Sequence, residues 1–516
     1  MLKPYLEIGK ATDIKSSKDR ALFRFFEILP GFLSWGTLGS ALILSWLWPA
    51  GIAIFIIAFD FYWLLRIFYL SLHQIASYRK MKKHLKINWL EKLSQLSTAN
   101  WQDIYHLIIL PTYKEQIEIV RTTFQALENS DYPKDKMIVV LAVEERAGKN
   151  AQELAQQIEK EFSQKFFKFL ITIHPQNIAG EIVGKGSNLL WAVNQVKEKI
   201  IDPLKIPYQN IIVSDFDVDT RPYPQYFSCL TYHYLTAKKP FQSSYQPIPV
   251  YNNNIWDAPA FSRVIATSST FWQMMQQEKP EQLVTYSSHS IPFKTLEEVG
   301  YPSNVVSDDS RIFWRFFLYF DGNYQTIPLY YPVSMDAVMA KNWLRTIINQ
   351  YKQQRRWAWG CENIPYLFYG FFKNKKISLR EKFRHSFIIL EGFWSWAAAA
   401  LLIFFLGWLP LILGGGNFNI TLLSYNLPKL TSYIMDIAMI GMFISAIISM
   451  LTLPPRPAEY SYWKNISMIF QWILLPVTLI VFGAFPSLEA QARLILRKPL
   501  GFWATEKTRK EVNYSR

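Results

Sequence analysis

Two long apolar segments near the start of the chain predict a pair of membrane helices. The runs Ile28–Trp48 and Gly51–Leu72 are each about as long as the ~20 residues that a helix needs to cross a bilayer. The uncharged turn WPAG separates them, and lysines and arginines flank the pair on both sides. Because basic flanks stay on the cytoplasmic side, we expect a hairpin with both ends in the cytoplasm. The late start of the first run and the immediate second span disfavour a signal peptide.

Two charged residues, Asp60 and Arg66, interrupt the second apolar run. Charged side chains inside a membrane are costly and usually face protein partners. The simpler alternative is that the two residues pair with each other or that their side chains extend to the membrane surface.

The pattern changes between about residues 105 and 380, where no run is long enough to span a membrane. Short strand-like runs, HLIIL, MIVVL, FLITI and IIV, alternate there with helix-like stretches around 115–128, 150–165 and 187–199. Alternation of this kind predicts an α/β domain with a largely parallel sheet.

Three further apolar runs follow this domain, at Phe387–Leu413, Tyr433–Leu453 and Ile466–Phe485. The basic residues before the first of them keep the α/β domain cytoplasmic. The tail from Arg493 to Arg516 is also basic, and three crossings would place it outside, against the rule. Either Ile466–Phe485, which Pro476 interrupts, does not fully cross, or a further span exists. The sequence therefore predicts four to six membrane helices.

Composition narrows the possible partners. The 516 residues include 55 Lys+Arg against 40 Asp+Glu, a net charge of +15, which suits either nucleic acid or a membrane. Membrane topology accounts for the basic residues, so nucleic-acid binding is disfavoured. Only Cys229 and Cys361 occur, which predicts no disulfide framework and no cysteine spacing typical of a metal site.

The first candidate for chemistry is the acidic stretch SDFDVDTRP at 214–222. If the preceding IIV is a strand, Asp215, Asp217 and Asp219 lie on one side of the backbone at its carboxyl end, where open α/β sheets bind ligands. Carboxylates in that number suit Mg²⁺ or Mn²⁺, and a solvated turn is the simpler alternative. A haloacid-dehalogenase-type motif is absent, because Arg221 stands where that motif needs Thr or Val.

Two turns that open helices are candidates for binding phosphate or nucleotide. LPTYKE at 110–115 follows the strand HLIIL, and a helix N-terminus there would offer free backbone N–H groups. GKGSNLLWA, from Gly184, does not have the Walker A spacing, but Lys185 could still hold a diphosphate. A capped turn and a solvated lysine are the alternatives.

Two helical segments complete the candidates. In VSDDSRIFWR, Asp308 and Asp309 open a helix, either as N-terminal acids that favour the helix dipole or with one of them as a general base. In QYKQQRRWAWG, Gln353, Arg356 and Trp357 lie at i, i+3 and i+4 and share one helix face. That face offers a guanidinium for phosphate and a ring for stacking on a sugar, or it belongs to a helix at the membrane surface.

Taken in order, these five motifs resemble the signature of membrane-embedded family-2 glycosyltransferases, the group that includes cellulose and hyaluronan synthases. The resemblance extends from about residue 28 to 510 and includes the closing GFWATEK. It implies an α/β glycosyltransferase-A (nucleotide-diphospho-sugar transferase) domain inserted between N-terminal and C-terminal transmembrane helices. The implied division is a cytoplasmic N-terminus at 1–27, a transmembrane hairpin at 28–72, a basic linker at 73–104, the glycosyltransferase domain at 105–360, an interfacial helix and basic linker at 361–384, a C-terminal transmembrane region at 385–487 and a basic tail at 488–516.

The resemblance also implies a role for each motif residue. Asp309 would be the catalytic base, and Gln353, Arg356 and Trp357 would bind the diphosphate and the acceptor end. Asp217 and Asp219 would hold Mg²⁺ or Mn²⁺, with Asp215 as a supporting acid. The donor would contact Thr112, Tyr113, Glu115, Glu144, Lys185 and Asp217. One departure concerns the second strand, which in the family usually ends in Asp and here ends in Glu144-Glu145, so the base preference is open.

The implied activity is inverting, metal-dependent transfer of a sugar from a nucleotide-sugar, expected to be a UDP-sugar, to a polysaccharide or lipid-linked acceptor. The enzyme would lie in the inner or plasma membrane with its catalytic domain cytoplasmic. Gln-x-x-Arg-Trp favours processive polysaccharide synthesis. The alternatives are a non-processive enzyme acting on a lipid carrier and a non-catalytic membrane scaffold or export component.

Overall fold

One mixed sheet forms the centre of the α/β domain. The computed structural model describes residues 3–97, 100–501 and 503–509. Within those ranges, eight strands pair in the order β3-β2-β1-β4-β7-β6-β8-β5. The strands are β1 (Tyr105–Thr112), β2 (Met137–Glu144), β3 (Lys168–His174), β4 (Ile211–Asp215), β5 (Arg221–Pro222), β6 (Ser243–Val250), β7 (His289–Pro292) and β8 (Gln325–Ser334).

Helices surround the sheet and extend from it in both directions along the sequence. The α-helices, in chain order, are α1 (Ser17–Leu47), α2 (Pro49–His84), α3 (Trp89–Ser94), α4 (Ile117–Glu128), α5 (Lys149–Phe162), α6 (Lys185–Val196), α7 (Tyr226–Thr236), α8 (Ala260–Gln277), α9 (Phe293–Val299), α10 (Asp308–Tyr319), α11 (Trp343–Ala358), α12 (Asn363–Lys373), α13 (Leu379–Phe404), α14 (Leu409–Leu413), α15 (Gly415–Asn419), α16 (Leu422–Leu451), α17 (Trp463–Phe470), α18 (Leu475–Leu479) and α19 (Phe485–Ile495).

The predicted parallel sheet is confirmed for one half of the domain. Strands β3, β2, β1 and β4 are parallel neighbours, and their apolar residues are buried on both faces. Along β1, Leu107 and Ile109 belong to the core cluster on one face, while Ile108 and Leu110 belong to the cluster on the other. This alternation follows from the two-residue period of a strand. The other half is mixed: β7 is antiparallel to β4 and β6, and β6 is parallel to β8.

Five helical segments are long and apolar enough to cross a membrane: Ser17–Leu47, Pro49–His84, Leu379–Phe404, Leu422–Leu451 and Trp463–Ile495, which contains α17 to α19. The number lies within the predicted four to six. The first helix begins at Ser17, earlier than the apolar run, because Ser16 accepts a hydrogen bond from the Asp19 backbone N–H and caps the helix there.

Close packing joins the membrane helices α2 and α16. A Cβ on Gly441 would lie only 2.3 Å from Ile67 Cγ2, so only glycine allows the two backbones to approach this closely. Arg66 of α2 pairs with Glu391 of α13, which favours a protein partner over the alternative of pairing with Asp60. Asp60 is buried, and its Oδ1 has no hydrogen-bond partner among the described residues. Tertiary packing between α2 and α13 therefore decided the partner of Arg66.

The segment from α17 to α19 lies along the α/β domain. Arg263 Nε of α8 donates to Gln471 Oε1 at 2.5 Å, and Arg355 NH1 of α11 lies 2.5 Å from Glu489 Oε1. A helix of 18 residues is about 27 Å long, close to the thickness of the hydrocarbon core. Gln471 and Glu489 are 18 residues apart, yet both contact the α/β domain, which lies on one side of the membrane. This favours the alternative in which the segment does not fully cross.

The described part of the basic tail, up to residue 509, returns to the α/β domain. Lys507 and Arg509 contact Asp219 and Asp336 there, so tail and domain lie on one side of any bilayer. This contact removes the conflict that three C-terminal crossings created. The rest of the predicted tail, 510–516, lies outside the described residues.

Candidate active site

Lys185 lies at the centre of an acidic cluster at the carboxyl end of β4. Its Nζ is 3.1 Å from Asp215 Oδ1, 3.0 Å from Asp217 Oδ1 and 2.8 Å from Asp309 Oδ1. Strand β4 ends at Asp215, α6 begins at Lys185 and Asp309 lies in the first turn of α10. Gly186 allows this approach, because a Cβ there would lie 2.7 Å from the Pro302 carbonyl oxygen. The end of β4 and the start of α10 thus both place carboxylates beside the ammonium group at the start of α6.

The charges of this cluster depend on one another. Burial would lower the pKa of Lys185, but Asp215, Asp217 and Asp309 together raise it well above its usual value. Burial would raise the pKa of Asp217, but Lys185 and Lys507 hold it well below the usual range. Burial raises the pKa of Asp215 despite the Lys185 charge. The lysine is therefore a permanent cation, and the acids around it differ in how readily they accept a proton.

A buried glutamate fixes the start of α10, and with it Asp309. Glu362 Oε1 accepts hydrogen bonds from the backbone N–H groups of Val306 and Ser307, at 3.1 and 2.8 Å. Its Oε2 accepts from Trp359 Nε1 at 2.8 Å. Charge-assisted bonds of this kind are stronger than neutral ones. The turn that follows α11 is thereby coupled to the loop that presents Asp309.

A histidine that the sequence reasoning did not single out also faces the cluster. His289 on β7 offers a ring nitrogen within 4.8 Å of carboxylate oxygens of both Asp215 and Asp309. Its Nδ1 is 3.0 Å from the Tyr286 carbonyl oxygen, and its buried Nε2 has no partner among the described residues. Tyr301 adds a hydrogen bond from its hydroxyl to Asp215 Oδ2 at 2.8 Å.

Asp219 is bound by a different lysine, which comes from the C-terminal tail. Lys507 Nζ is 2.6 Å from Asp219 Oδ2, which also accepts the Asp336 backbone N–H at 2.8 Å. Arg509 forms a two-pronged ion pair with Asp336, at 2.6 and 3.1 Å. Backbone bonding to Met339 aligns the segment, through the Thr508 N–H at 2.8 Å. The described tail residues therefore bring one cation to Asp219 and a second to Asp336, whose backbone N–H binds Asp219.

The predicted donor residues of the first two strands lie at adjacent strand ends. Glu115 Oε2 accepts from the Thr112 hydroxyl at 2.8 Å and from the Tyr113 backbone N–H at 2.7 Å, which closes the turn after β1. Glu144, at the end of β2, forms an ion pair with Arg146. The Arg146 guanidinium lies 4.2 Å from the centre of the Tyr113 ring. These contacts connect the residues that follow β1 to those that follow β2.

Helix α11 presents the predicted Gln-x-x-Arg-Trp residues toward the same region. The Trp357 ring lies 6.5 Å from the Tyr251 ring. Burial raises the pKa of Tyr251 and of Asp308, and the Arg356 charge opposes it in both, so Arg356 lies near the acids. Gln353 is buried and accepts a hydrogen bond from the Gln350 side-chain amide at 3.1 Å.

The structure thus brings together Lys185, Asp215, Asp217 and Asp309, and it separates Asp219 by giving it another cation. Sequence reasoning missed residues whose only signal is long-range contact. Lys507 and Arg509 had been noted as basic residues of the tail and interpreted through topology alone. The other missed residues are Tyr251, His289, Tyr301, Asp336 and Glu362.

The residues present fit a divalent cation of the Mg²⁺ or Mn²⁺ type. Carboxylate oxygens from Asp215 and Asp309 lie close together, and Asp217 shares their ammonium. Oxygen donors in this number are the ligands that such ions prefer. The roles of Asp217, Asp219 and Asp215 as metal ligands stay a prediction.

Comparison with known proteins gives distant structural likenesses. No family model matches the chain, and no curated protein matches it. Among solved structures, it is similar to the mannosyltransferase PcManGT from Pyrobaculum calidifontis in complex with GDP-Man and Mn²⁺, at 15% identity and a TM-score of 0.38, covering 82% of this chain and 99% of that one. It is also similar to S. aureus TarS 1-349 in complex with UDP-GlcNAc, at 8% identity and a TM-score of 0.36, covering 73% and 91%. Overlaps this loose do not define a shared fold.

Proposed function

We propose that this chain is a membrane glycosyltransferase of the family-2 type, with a glycosyltransferase-A domain. It transfers a sugar from a nucleotide-sugar, expected to be a UDP-sugar, to a polysaccharide or lipid-linked acceptor, with inversion at the anomeric carbon. The observation that carries the proposal is the Lys185 cluster, in which a cation and a partly exposed acid, Asp309, meet at the carboxyl end of the parallel strands. Ligands bind at that edge in open α/β sheets.

Asp309 is the proposed general base. It accepts the proton of the acceptor hydroxyl while the hydroxyl oxygen forms a bond to the anomeric carbon. The bond from that carbon to the diphosphate oxygen breaks, and the nucleoside diphosphate leaves with the electron pair. A general base must contact the hydroxyl. The Asp309 side chain is 22% exposed, whereas Asp215 is 1% exposed, and Asp217, at 31%, is assigned to the metal.

Lys185 has two proposed roles at different stages. Before the donor binds, its ammonium forms an ion pair with Asp309 at 2.8 Å and occupies that carboxylate. A bound diphosphate offers Lys185 a second anion, which frees the Asp309 carboxylate for the acceptor. The positive charge then stabilises the negative charge that develops on the leaving diphosphate, an effect that is often the largest in catalysis.

The remaining motifs have supporting roles. Thr112, Tyr113, Glu115 and Glu144 contact the nucleoside, and Arg356, Gln353 and Trp357 hold the diphosphate and the acceptor sugar. Asp217 and Asp219, supported by Asp215, would hold Mg²⁺ or Mn²⁺, which when bound supplies further positive charge at the diphosphate. The protein is proposed to lie in the cell membrane through α1, α2, α13 and α16, with the domain and tail cytoplasmic.

The test is release of nucleoside diphosphate by the full-length protein purified in detergent. A panel of nucleotide-sugars would be supplied with Mg²⁺ or Mn²⁺, together with membrane lipid as acceptor. Asp309→Asn and Asp219→Asn should abolish release, whereas Asp202→Asn, which alters a surface ion pair with Lys197, should not. No release with any donor would favour a non-catalytic scaffold instead.

Product length separates the two enzymatic alternatives. The Gln353, Arg356 and Trp357 motif favours processive polymer synthesis, so we expect long products on a gel. A single added sugar on a lipid carrier would instead identify the non-processive alternative.

A further inference from the structure

Three side chains with metal-binding chemistry meet where the end of α2 packs near α7. His84 is the last residue of α2, and Cys229 and His233 lie on α7. The Cys229 sulfur and one ring nitrogen from each histidine all lie within 4.8 Å of one another. Cys229 and His233 are four residues apart on a helix and therefore share one face. All three lie outside the acidic cluster around Lys185.

Hydrogen bonding leaves ligand atoms of these side chains available. His84 Nδ1 is 2.9 Å from the Leu329 carbonyl oxygen, so it carries the proton and leaves a lone pair on Nε2. His233 Nε2 is buried and has no hydrogen-bond partner among the described residues. A buried polar atom without a hydrogen-bond partner destabilises the fold unless a ligand binds it. Cys229 is fully buried as a free thiol.

The indole ring of Trp89 covers one side of this cluster, in which Cys229 is buried and the two histidines are partly buried. The Trp89 ring lies 5.2 Å from the His84 ring and 5.5 Å from the His233 ring, and Trp89 is 1% exposed. Its Nε1 also donates to the His84 carbonyl oxygen at 2.9 Å.

We propose that His84, Cys229 and His233 bind a zinc ion that joins the end of the membrane hairpin to the α/β domain. Two imidazoles and one thiolate are the soft and intermediate ligands that select Zn²⁺ over Mg²⁺ or Mn²⁺. Binding releases the Cys229 proton, and the thiolate offsets one of the two positive charges. Three protein ligands leave the fourth position of a tetrahedral zinc ion for water.

The test measures zinc bound to the full-length protein, purified in detergent with a tag that contains no histidine. The protein is stripped with a chelator, reloaded with Zn²⁺ in excess Mg²⁺ to occupy the acidic cluster, and freed of unbound metal. Atomic emission should then give about one zinc per chain for the wild type. Cys229→Ser and His233→Ala should lose it, whereas Cys361→Ser, which changes the other buried cysteine, should retain it.

Cobalt substitution supplies a readout that does not depend on variant folding. Co²⁺ bound to the wild type should show an intense thiolate-to-cobalt absorption band, and Cys361→Ser should show it unchanged. A wild-type protein without this band, or with zinc that Cys229→Ser retains, would overturn the proposal. Bound Co²⁺ without the thiolate band would indicate that the ion binds the carboxylates around Lys185 instead, which would also overturn the proposal. Because neither readout measures glycosyl transfer, this inference and the proposed function can fail independently.

Discussion

Two lysines neutralise the acidic loop 215–219, but they come from very different regions of the molecule. Lys185 opens α6, which is packed into the core of the α/β domain, and the next residues of that helix are buried. Lys507 belongs to a tail segment that lies across the domain and is held mainly by polar contacts, at Asp219, Asp336 and Met339. Both lysines bind carboxylates at hydrogen-bond distance. The difference lies in what each lysine is attached to.

Lys185 is therefore a fixed part of the folded domain, whereas we expect that Lys507 can leave it. Lys185 cannot move far without disturbing the packing of α6 on the sheet. Lys507 can be withdrawn by releasing a few hydrogen bonds, which water replaces at modest net cost. We therefore expect Lys185 to contribute to folding and catalysis together, and Lys507 to control access to Asp219 without supporting the fold.

The largest effect is expected for Asp309→Asn, which removes the proposed base from the cluster around Lys185. Loss of a general base should lower kcat by about 10²–10⁴-fold. The melting temperature should change little, because Lys185 keeps Asp215 and Asp217 as partners. Diphosphate release and thermal unfolding measure the two quantities, and Asp202→Asn is the matched control. Full activity in a folded Asp309→Asn protein would exclude this residue as the base.

Next comes the direct comparison of Lys185→Met with Lys507→Met. Removing the cation from buried carboxylates should cost about 3–5 kcal/mol at Lys185, since the partners stay buried and unpaired. The cost at Lys507 should be clearly smaller, because the tail can lift and let water reach Asp219. Denaturant unfolding in detergent measures both. Equal losses of stability would mean that the tail is as much a part of the fold as α6.

A smaller effect is expected when the tail is removed by ending the chain after Gly501. Without Lys507, no tail cation competes for Asp219, so Mn²⁺ affinity should rise by about tenfold, or ~1.4 kcal/mol. Titration calorimetry on the purified proteins measures the change. Retention of the wild-type affinity would show that Asp219 does not bind the metal, and Asp219→Asn in the truncated chain checks the assignment.

The smallest effect concerns acid stability. Lys185 and Lys507 hold the pKa of Asp217 well below its usual value in spite of burial. A depressed carboxyl pKa stabilises the folded state above the unfolded pKa of about 4, and this stabilisation is lost as the pH falls through the lower folded value. The difference in melting temperature between wild type and Asp217→Asn should therefore be present at pH 7 and shrink below about pH 4. A difference that grows on acidification would have the wrong sign.

Much of the domain could be predicted because its signals are local. The runs HLIIL and MIVVL predicted buried parallel strands, and the structure places them as β1 and β2. The turns that follow them were located correctly as strand ends, as was Lys185 at the start of a helix. The mixed half of the sheet was not predicted, because β6, β7 and β8 contain polar residues and prolines that give weak strand signals.

The sequence did not reveal which residues of the candidate site contact one another. Asp217 and Asp219, with Asp215 in support, stay predicted metal ligands, but their lysine partners were not predicted: Lys185 contacts Asp215 and Asp217, and Lys507 contacts Asp219. The two cysteines do not have the spacing of a metal site, and the cluster at Cys229 could not be predicted because its other members are histidines from two helices. Spacing within one segment does not reveal which segments meet.

By itself, the sequence determined the apolar helices, the parallel strands and the acids at a strand end, since hydrophobic period and turn chemistry act over a few residues. Only the tertiary structure decided the long-range polar contacts: the ion pairs of Arg66 with Glu391 and of Lys507 with Asp219, and the hydrogen bonds of Glu362 to the loop before Asp309. Each joins residues far apart in the chain. Such partners are chosen by packing, because a buried charge is stable only beside the group that the fold brings to it.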